Sequence, residues 1–169
     1  MNLLEKFEGM SDNSRVWIYQ SERFFQDYEK AFLEVSLQKF IQEWAAHGAA
    51  LSANFDIIGG LFIVLVVDEE QVTVSGCSID SSTRFIKSLE VDLGYTLTNR
   101  LNVAYLVEEE LKISPLNKLK EEIEKKLLKP SDLYFDNTIT HLGKLRSEWT
   151  KPMQNGWVAK FFSNMELQS

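Results

Sequence analysis

Cysteine is almost missing from this chain of 169 residues: there is one, Cys77. One thiol closes no intramolecular disulfide and builds no cysteine-based zinc site, so the fold must rest on its own core. A single cysteine also suits a reducing compartment, which makes a cytoplasmic location the expectation. Histidine is nearly as scarce, with only His47 and His141. Nothing resembles H-E-x-x-H, so neither a bound metal nor a metal cofactor is expected. Long apolar runs are lacking too. The longest, Leu61–Val67, falls far short of the roughly 20 residues that a membrane helix needs. Met1–Met10 carries charges among its apolar positions and no long apolar stretch, so it reads as an ordered or frayed start rather than a signal peptide. With three prolines, eight glycines, no internal repeat and no low-complexity linker, residues 1–169 are read as one α+β domain.

Basic residues are also in deficit. The formal net charge is −7. Residues 1–110 hold 8 Lys and Arg against 18 Asp and Glu, and residues 111–169 hold 10 against 7. An acidic body without an arginine-rich stripe repels phosphate backbones, so nucleic-acid binding is not expected. The basic C-terminal segment is read as docking on the acidic body.

What is present is periodicity. Val16–Gln20 alternates as a short strand, and Leu33, Leu37, Phe40, Ile41 and Trp44 recur at helical spacing. They predict a helix over Asp27–His47 stopped by Gly48. Leu51–Ile57 alternates again, Gly59-Gly60 makes a tight hairpin turn, and Leu61–Val67 is apolar on both faces, as a central strand is. Gln71–Cys77 reads as a third strand, with Val72 and Val74 on one face and Thr73, Ser75 and Cys77 on the other. A second helix is expected from Ser78 to Leu93 with Gly94 as its stop. A further strand is expected at Leu101–Val107, and a third helix from Ser114-Pro115 to Lys129. Ser131–Ser169 is aromatic-rich without a clear period, and a short helix is expected within Thr138–Trp149. These elements predict an antiparallel sheet of about four to five strands with helices on one face, a ferredoxin-like variant with an aromatic-rich C-terminal extension.

The stretches VWIYQSER, WAAHGAALSANFDI, VVDE and SGCSIDSSTRFIKSL, with the spaced Trp149 and Trp157, resemble a small uncharacterised bacterial family whose members are often labelled "ABC transporter ATPase". The resemblance covers most of the chain and implies no catalytic residues. The label would require G-x-x-x-x-G-K-[ST], whose amides and lysine hold nucleotide phosphates. Here Gly59-Gly60 is followed by Leu61, so ATP hydrolysis by that route is excluded.

The segment Ser75-Gly76-Cys77-Ser78-Ile79-Asp80-Ser81-Ser82 carries the chemistry worth testing. It runs from an expected strand end into a helix start, where free amides attract anions and lower a neighbouring thiol's pKa. Cys77 is the candidate nucleophile and His47 the candidate base. The structural reading is the stronger one: Ser78 serves as N-cap, Asp80 complements the helix dipole, and His47 caps the first helix. A second candidate is the sheet face that the helices leave open. If they cover Val16, Ile18, Phe55 and Val72, the other face presents Trp17, Tyr19, Asn54, Asp56 and Thr73, and with Ser78, Asp80 and Ser81 these form the candidate binding set. Three occupants compete for it, ranked as the C-terminal aromatics first, a second copy in a homodimer next, and a small ligand last. The carboxylate runs Asp68–Glu70 and Glu108–Glu110 read as solvated turns.

Two functions follow from these readings. The first is a non-enzymatic binding or interaction module that contacts a small ligand or a protein through the polar sheet face, with no cofactor, nucleic acid or membrane. The alternative is a thiol-dependent enzyme or thiol sensor using Cys77 at a helix start and His47 as base.

Overall fold

The computed structural model describes residues 3–166. After a 3-10 turn at Glu5–Phe7 come β1 (Arg15–Gln20), α1 (Asp27–Glu43), β2 (Ala45–Ala46), β3 (Ala49–Ala50), β4 (Ser52–Ile58), β5 (Phe62–Asp68) and α2 (Gly76–Leu93). There follow β6 (Asn102–Val107), β7 (Glu110–Pro115), α3 (Leu116–Glu124), β8 (Leu133–Phe135), α4 (Leu142–Glu148), β9 (Thr150–Pro152) and α5 (Lys160–Glu166). The architecture is α+β with antiparallel sheets, and the strands divide among several sheets. The chain packs as two compact units, one of residues 1–99 with 138–146 and one of residues 100–137 with 147–169.

In the first unit the sheet order is β1-β5-β4, all antiparallel. The central strand is the one apolar on both faces, and every residue of Leu61–Val67 is buried. Gly59 and Gly60 take φ of 61° and 62°, and the Leu61 amide closes the turn on the Ile58 carbonyl. Glycine adopts that left-handed backbone without strain, so the sequence marks the hairpin directly. One sheet face packs under α1 and α2. Leu33 and Leu37 of α1 and Ile86 and Leu89 of α2 meet Phe55, Ile63 and Leu65 there, with Trp17, Tyr19 and Ile57 alongside. Each fully buried Ile or Leu contributes about 1.5–3 kcal/mol through removal from water.

The register reverses one expectation. Trp17 pairs with Leu65 and Leu65 with Phe55, whereas Val16 pairs with Val66 and Val66 with Asn54. Trp17 and Tyr19 therefore lie on the helix-covered face, opposite Asn54 and Asp56. Alternation defines two faces within a strand but not which face of one strand matches which of the next, and a slip of one residue exchanges them.

Other boundaries moved for local reasons. Gln71–Cys77 is not a strand. Its connection is irregular, and main-chain donors in it go to side chains: Val74 N donates to Glu69 Oε1 and Ser75 N to Ser78 Oγ. Helix α2 starts at Gly76, not Ser78, because Ser75 is the N-cap. Helix α1 ends at Glu43, with Trp44 buried beyond it. Gly48 then serves a different turn: with His47 at φ 51° and Gly48 at φ 79°, it joins β2 to β3.

In the second unit the sheet order is β7-β6-β8-β9. Strand β7 had no sequence signal, because the turn before it is built from Glu108 and Glu109 at φ 52° and 68° where glycine or asparagine is usual. The core gathers Val103, Tyr105, Leu119, Ile123, Leu128, Tyr134, Met153 and Val158. Helix α3 stops at Glu124 rather than Lys129, and α4 fulfils the short helix expected in Thr138–Trp149. Trp149 packs edge-on against Phe135 at 5.1 Å, and Trp157 against Tyr134 at 6.1 Å, both inside the second unit.

Candidate functional site

Cys77 lies in the first turn of α2 and is exposed. Around it the serines are engaged with one another. Ser78 N donates to Ser75 Oγ at 3.2 Å and Ser75 N to Ser78 Oγ at 2.7 Å, a reciprocal cap that satisfies two amides at the helix start. Ser81 Oγ donates to the Ser78 carbonyl at 2.8 Å, and the same carbonyl accepts from Trp44 Nε1 at 2.9 Å. Ser78 is buried, Ser81 half-buried, Thr73 and Asp80 exposed. His47 is exposed on the β2–β3 turn, and among the described residues no hydrogen bond or ion pair joins it to Cys77. The catalytic pair expected from the sequence is therefore not joined by a hydrogen bond. Helix α1 stops four residues early and hands His47 to a hairpin.

The expected binding face is not open. Asn54 Nδ2 donates to the Lys6 carbonyl at 2.7 Å, and Lys6 Nζ lies 3.2 Å from Asp56 Oδ1. These two contacts lay the 3-10 turn Glu5–Phe7 over that side, with Phe7 fully buried. Asn54 and Asp56 also accept from the amides of Phe55 and Ile57, each at 2.8 Å. Donors of β4, an edge strand, are thereby occupied locally, which discourages an added strand. Arg146 bonds Asp12 and the carbonyls of Phe7 and Met10, tying residues 138–146 to the same N-terminal segment. On the other face, Trp17 meets Trp44 edge-on at 5.6 Å and Tyr19 packs on the core.

Two features escaped the sequence reading. The first is a polar cluster at the start of α1. Glu29, buried, receives Arg23 through both guanidinium nitrogens at 2.7 and 3.1 Å and the Gln26 amide at 2.8 Å. Burial works against the Glu29 charge, but the Arg23 and Gln26 hydrogen bonds outweigh it and hold the carboxyl below its ordinary pKa. Arg23 stacks over Tyr95 at 4.1 Å. Burial, then the Glu29 charge, push the Tyr95 phenol up to about 12. Every charge here is answered by another member, so the cluster closes the loop before α1 and leaves no charge for a ligand. The only hint in the sequence was Gln26 followed by Glu29, the spacing of a capping box.

The second feature is on the outside of α1. Tyr28, Phe32 and Val35 stand 69%, 39% and 73% exposed, and Phe24 just before the helix 43%. They occupy positions i, i+4 and i+7, a second apolar line beside the buried one through Leu33 and Leu37. A helix with an apolar line on each side has one line for its own core and one to spare. The pattern was visible in the sequence, but the stronger Leu33–Leu37 line absorbed it.

Among the described residues, no group of three His, Cys, Asp or Glu is placed to hold a metal ion. None of the described helices is long and apolar enough to cross a membrane. Comparison with known protein families, curated proteins and solved structures finds no match.

Proposed function

We propose that the protein is a non-enzymatic interaction module that docks a protein on the outward face of α1. The carrying observation is the exposed line Tyr28–Phe32–Val35, extended by Phe24. Singly exposed apolar residues need no explanation, but a continuous line of them is the kind of surface that protein partners cover. The contact surface differs from the sheet face expected from the sequence, because that face is taken up by the chain's own N-terminal segment. A photo-crosslinking amino acid at position 35, expressed in cells, tests the reading. Position 91 on α2, 81% exposed, is the control. Covalent protein adducts at 35 and not at 91 support docking; equal labelling or none at either position removes it.

A thiol sensor is the second reading, favoured by the exposure of Cys77 at the start of α2. It ranks below the first because His47 offers the sulfur no hydrogen bond.

A further inference from the structure

We propose that the free edge of β7 takes up an extended segment of a protein partner as a fifth strand of the second unit's sheet. The alternation of hydrogen bonds across the β6–β7 hairpin decides which main-chain groups are spent. Leu116 N donates to the Leu101 carbonyl at 2.7 Å, and the register runs on through Val103↔Ser114, Tyr105↔Lys112 and Val107↔Glu110. Those pairs, two residues apart, hold the bonds between the strands, so Leu111 and Ile113 turn their N–H and C=O groups away from β6. Among the described residues nothing meets them. The other edges of the two larger sheets offer less. Phe55 N and Ile57 N of β4 are capped by Asn54 and Asp56, and Val16 N of β1 donates to the Thr140 carbonyl at 2.8 Å. Strand β9 is three residues ending in Pro152, whereas β7 is six residues long.

The side chains around this edge say what fits it. Leu111 stands in register with Leu106, Leu133 and Pro152, an apolar row across all four strands. None of the four is buried, and Leu133 is 36% exposed. At ~4.8 Å per strand the row spans about 14 Å and stops at β7. A fifth strand continues it with apolar side chains beside Leu111 and Ile113 and polar ones between them. At the turn end Glu108, Glu109 and Glu110 are all exposed, and Lys112, 3.4 Å from Glu110, is the single cation that answers them. The partner segment is therefore apolar at alternate positions and carries a lysine or arginine at the end that lies by the turn, in keeping with the chain's net charge of −7. Main-chain bonds supply the affinity and the alternate side chains the choice of segment. A second copy fits worse. Centred on Lys112 it opposes two ammoniums. Centred on Leu111 it sets Ile113 against the Glu108-Glu109 turn, and centred on Ile113 it meets Pro115, which has no N–H to give.

A random peptide library displayed on phage, selected on the purified full chain, tests the proposal. The enriched peptides should alternate apolar and polar residues with a lysine or arginine at one end. A synthetic copy of one should slow hydrogen exchange at the Leu111 and Ile113 amides. Ile113→Pro removes one outward donor and none that bonds β6, in the phase where Pro115 already stands, so the chain should still fold. It should bind that peptide about tenfold or more weakly. If that variant unfolds, Glu109→Lys with Glu110→Lys makes the test from the exposed turn: the same peptide should bind more weakly, and one with an acidic end should replace it. No enrichment, peptides without alternation, or binding indifferent to Ile113→Pro overturns the proposal. Loss of binding on Tyr28→Glu instead also overturns it and leaves docking on α1 standing. Self-association that protects the same two amides without any peptide overturns it in favour of a second copy.

Discussion

Gly156→Ala is expected to destabilise the second unit by about 2 kcal/mol, and the cause can be isolated. Gly156 has φ −131° and ψ −169°, extended backbone that alanine adopts freely, so no backbone strain enters. In the unfolded chain alanine even helps, by about 0.4–1 kcal/mol, because it has fewer conformations to lose. The opposing effect is steric. A Cβ at this position would stand 1.8 Å from Tyr134 Oη, 2.5 Å from Cζ and 2.6 Å from Cε1. Real Cβ atoms keep at least 3.0 Å, so the hydroxyl would have to retreat by 1.2 Å (3.0 less 1.8) or more. Tyr134 is fully buried and its backbone is paired to Tyr105 on one side and Lys151 on the other, so it has little room to retreat. Overpacking of this kind costs about 1–3 kcal/mol, occasionally more, and outweighs the entropic gain. Urea unfolding of the wild type, Gly156→Ala, Tyr134→Phe and the double variant would measure it. Tyr134→Phe removes a buried hydroxyl with no well-formed hydrogen bond and should be close to neutral. In that background Gly156→Ala should cost less, since the 1.8 Å contact is gone, but not nothing, since the two ring-carbon contacts remain. A Gly156→Ala protein as stable as the wild type would refute the account.

Stability should fall at alkaline pH. Burial raises both Tyr95 and Tyr134 to about 12, helped by the charges of Glu29 and Asp136 respectively. The unfolded chain ionises near 10, so the native advantage is whole below that pH and is lost as pH climbs toward about 12; phenolate absorbance followed beside circular dichroism should show the two events together. Acid acts on Glu29 in the opposite sense. Its carboxyl is held below the ordinary range, so its contribution is present above that range and lost as pH falls through the lowered value. Glu29→Ala should cost about 2 kcal/mol at neutral pH through loss of charged hydrogen-bond acceptors, and the loss should shrink in acid; a pH-independent difference would contradict this. Cys77 is exposed, so it should react with alkylating agents in the folded protein, and Cys77→Ala should change stability by less than about 0.5 kcal/mol. A half-reaction pH well below about 8.5 would favour the thiol-sensor reading, and protection from the reagent until unfolding would remove it.

The sequence alone determined what is local. Twin glycines announce a hairpin because only glycine takes two successive left-handed conformations without strain, and Gly59 and Gly60 do so. Seven consecutive apolar residues announce a strand buried on both sides, and the run ending at Val67 is one. Gly94 announces the end of α2, at φ 79°. Tertiary structure decided what depends on partners. The pairing of Trp17 with Leu65 placed two aromatics under the helices, and no property of Val16–Gln20 by itself sets that register, since both phases bury comparable side chains. The site followed the same division. The position of Cys77 at a helix start was legible, but the placement of His47 on a hairpin turn was not, because His47-Gly48 is equally good chemistry for stopping a helix and for turning a hairpin. The choice fell to Trp44, whose buried ring and hydrogen bond to the Ser78 carbonyl pull the chain out of the helix before His47 is reached.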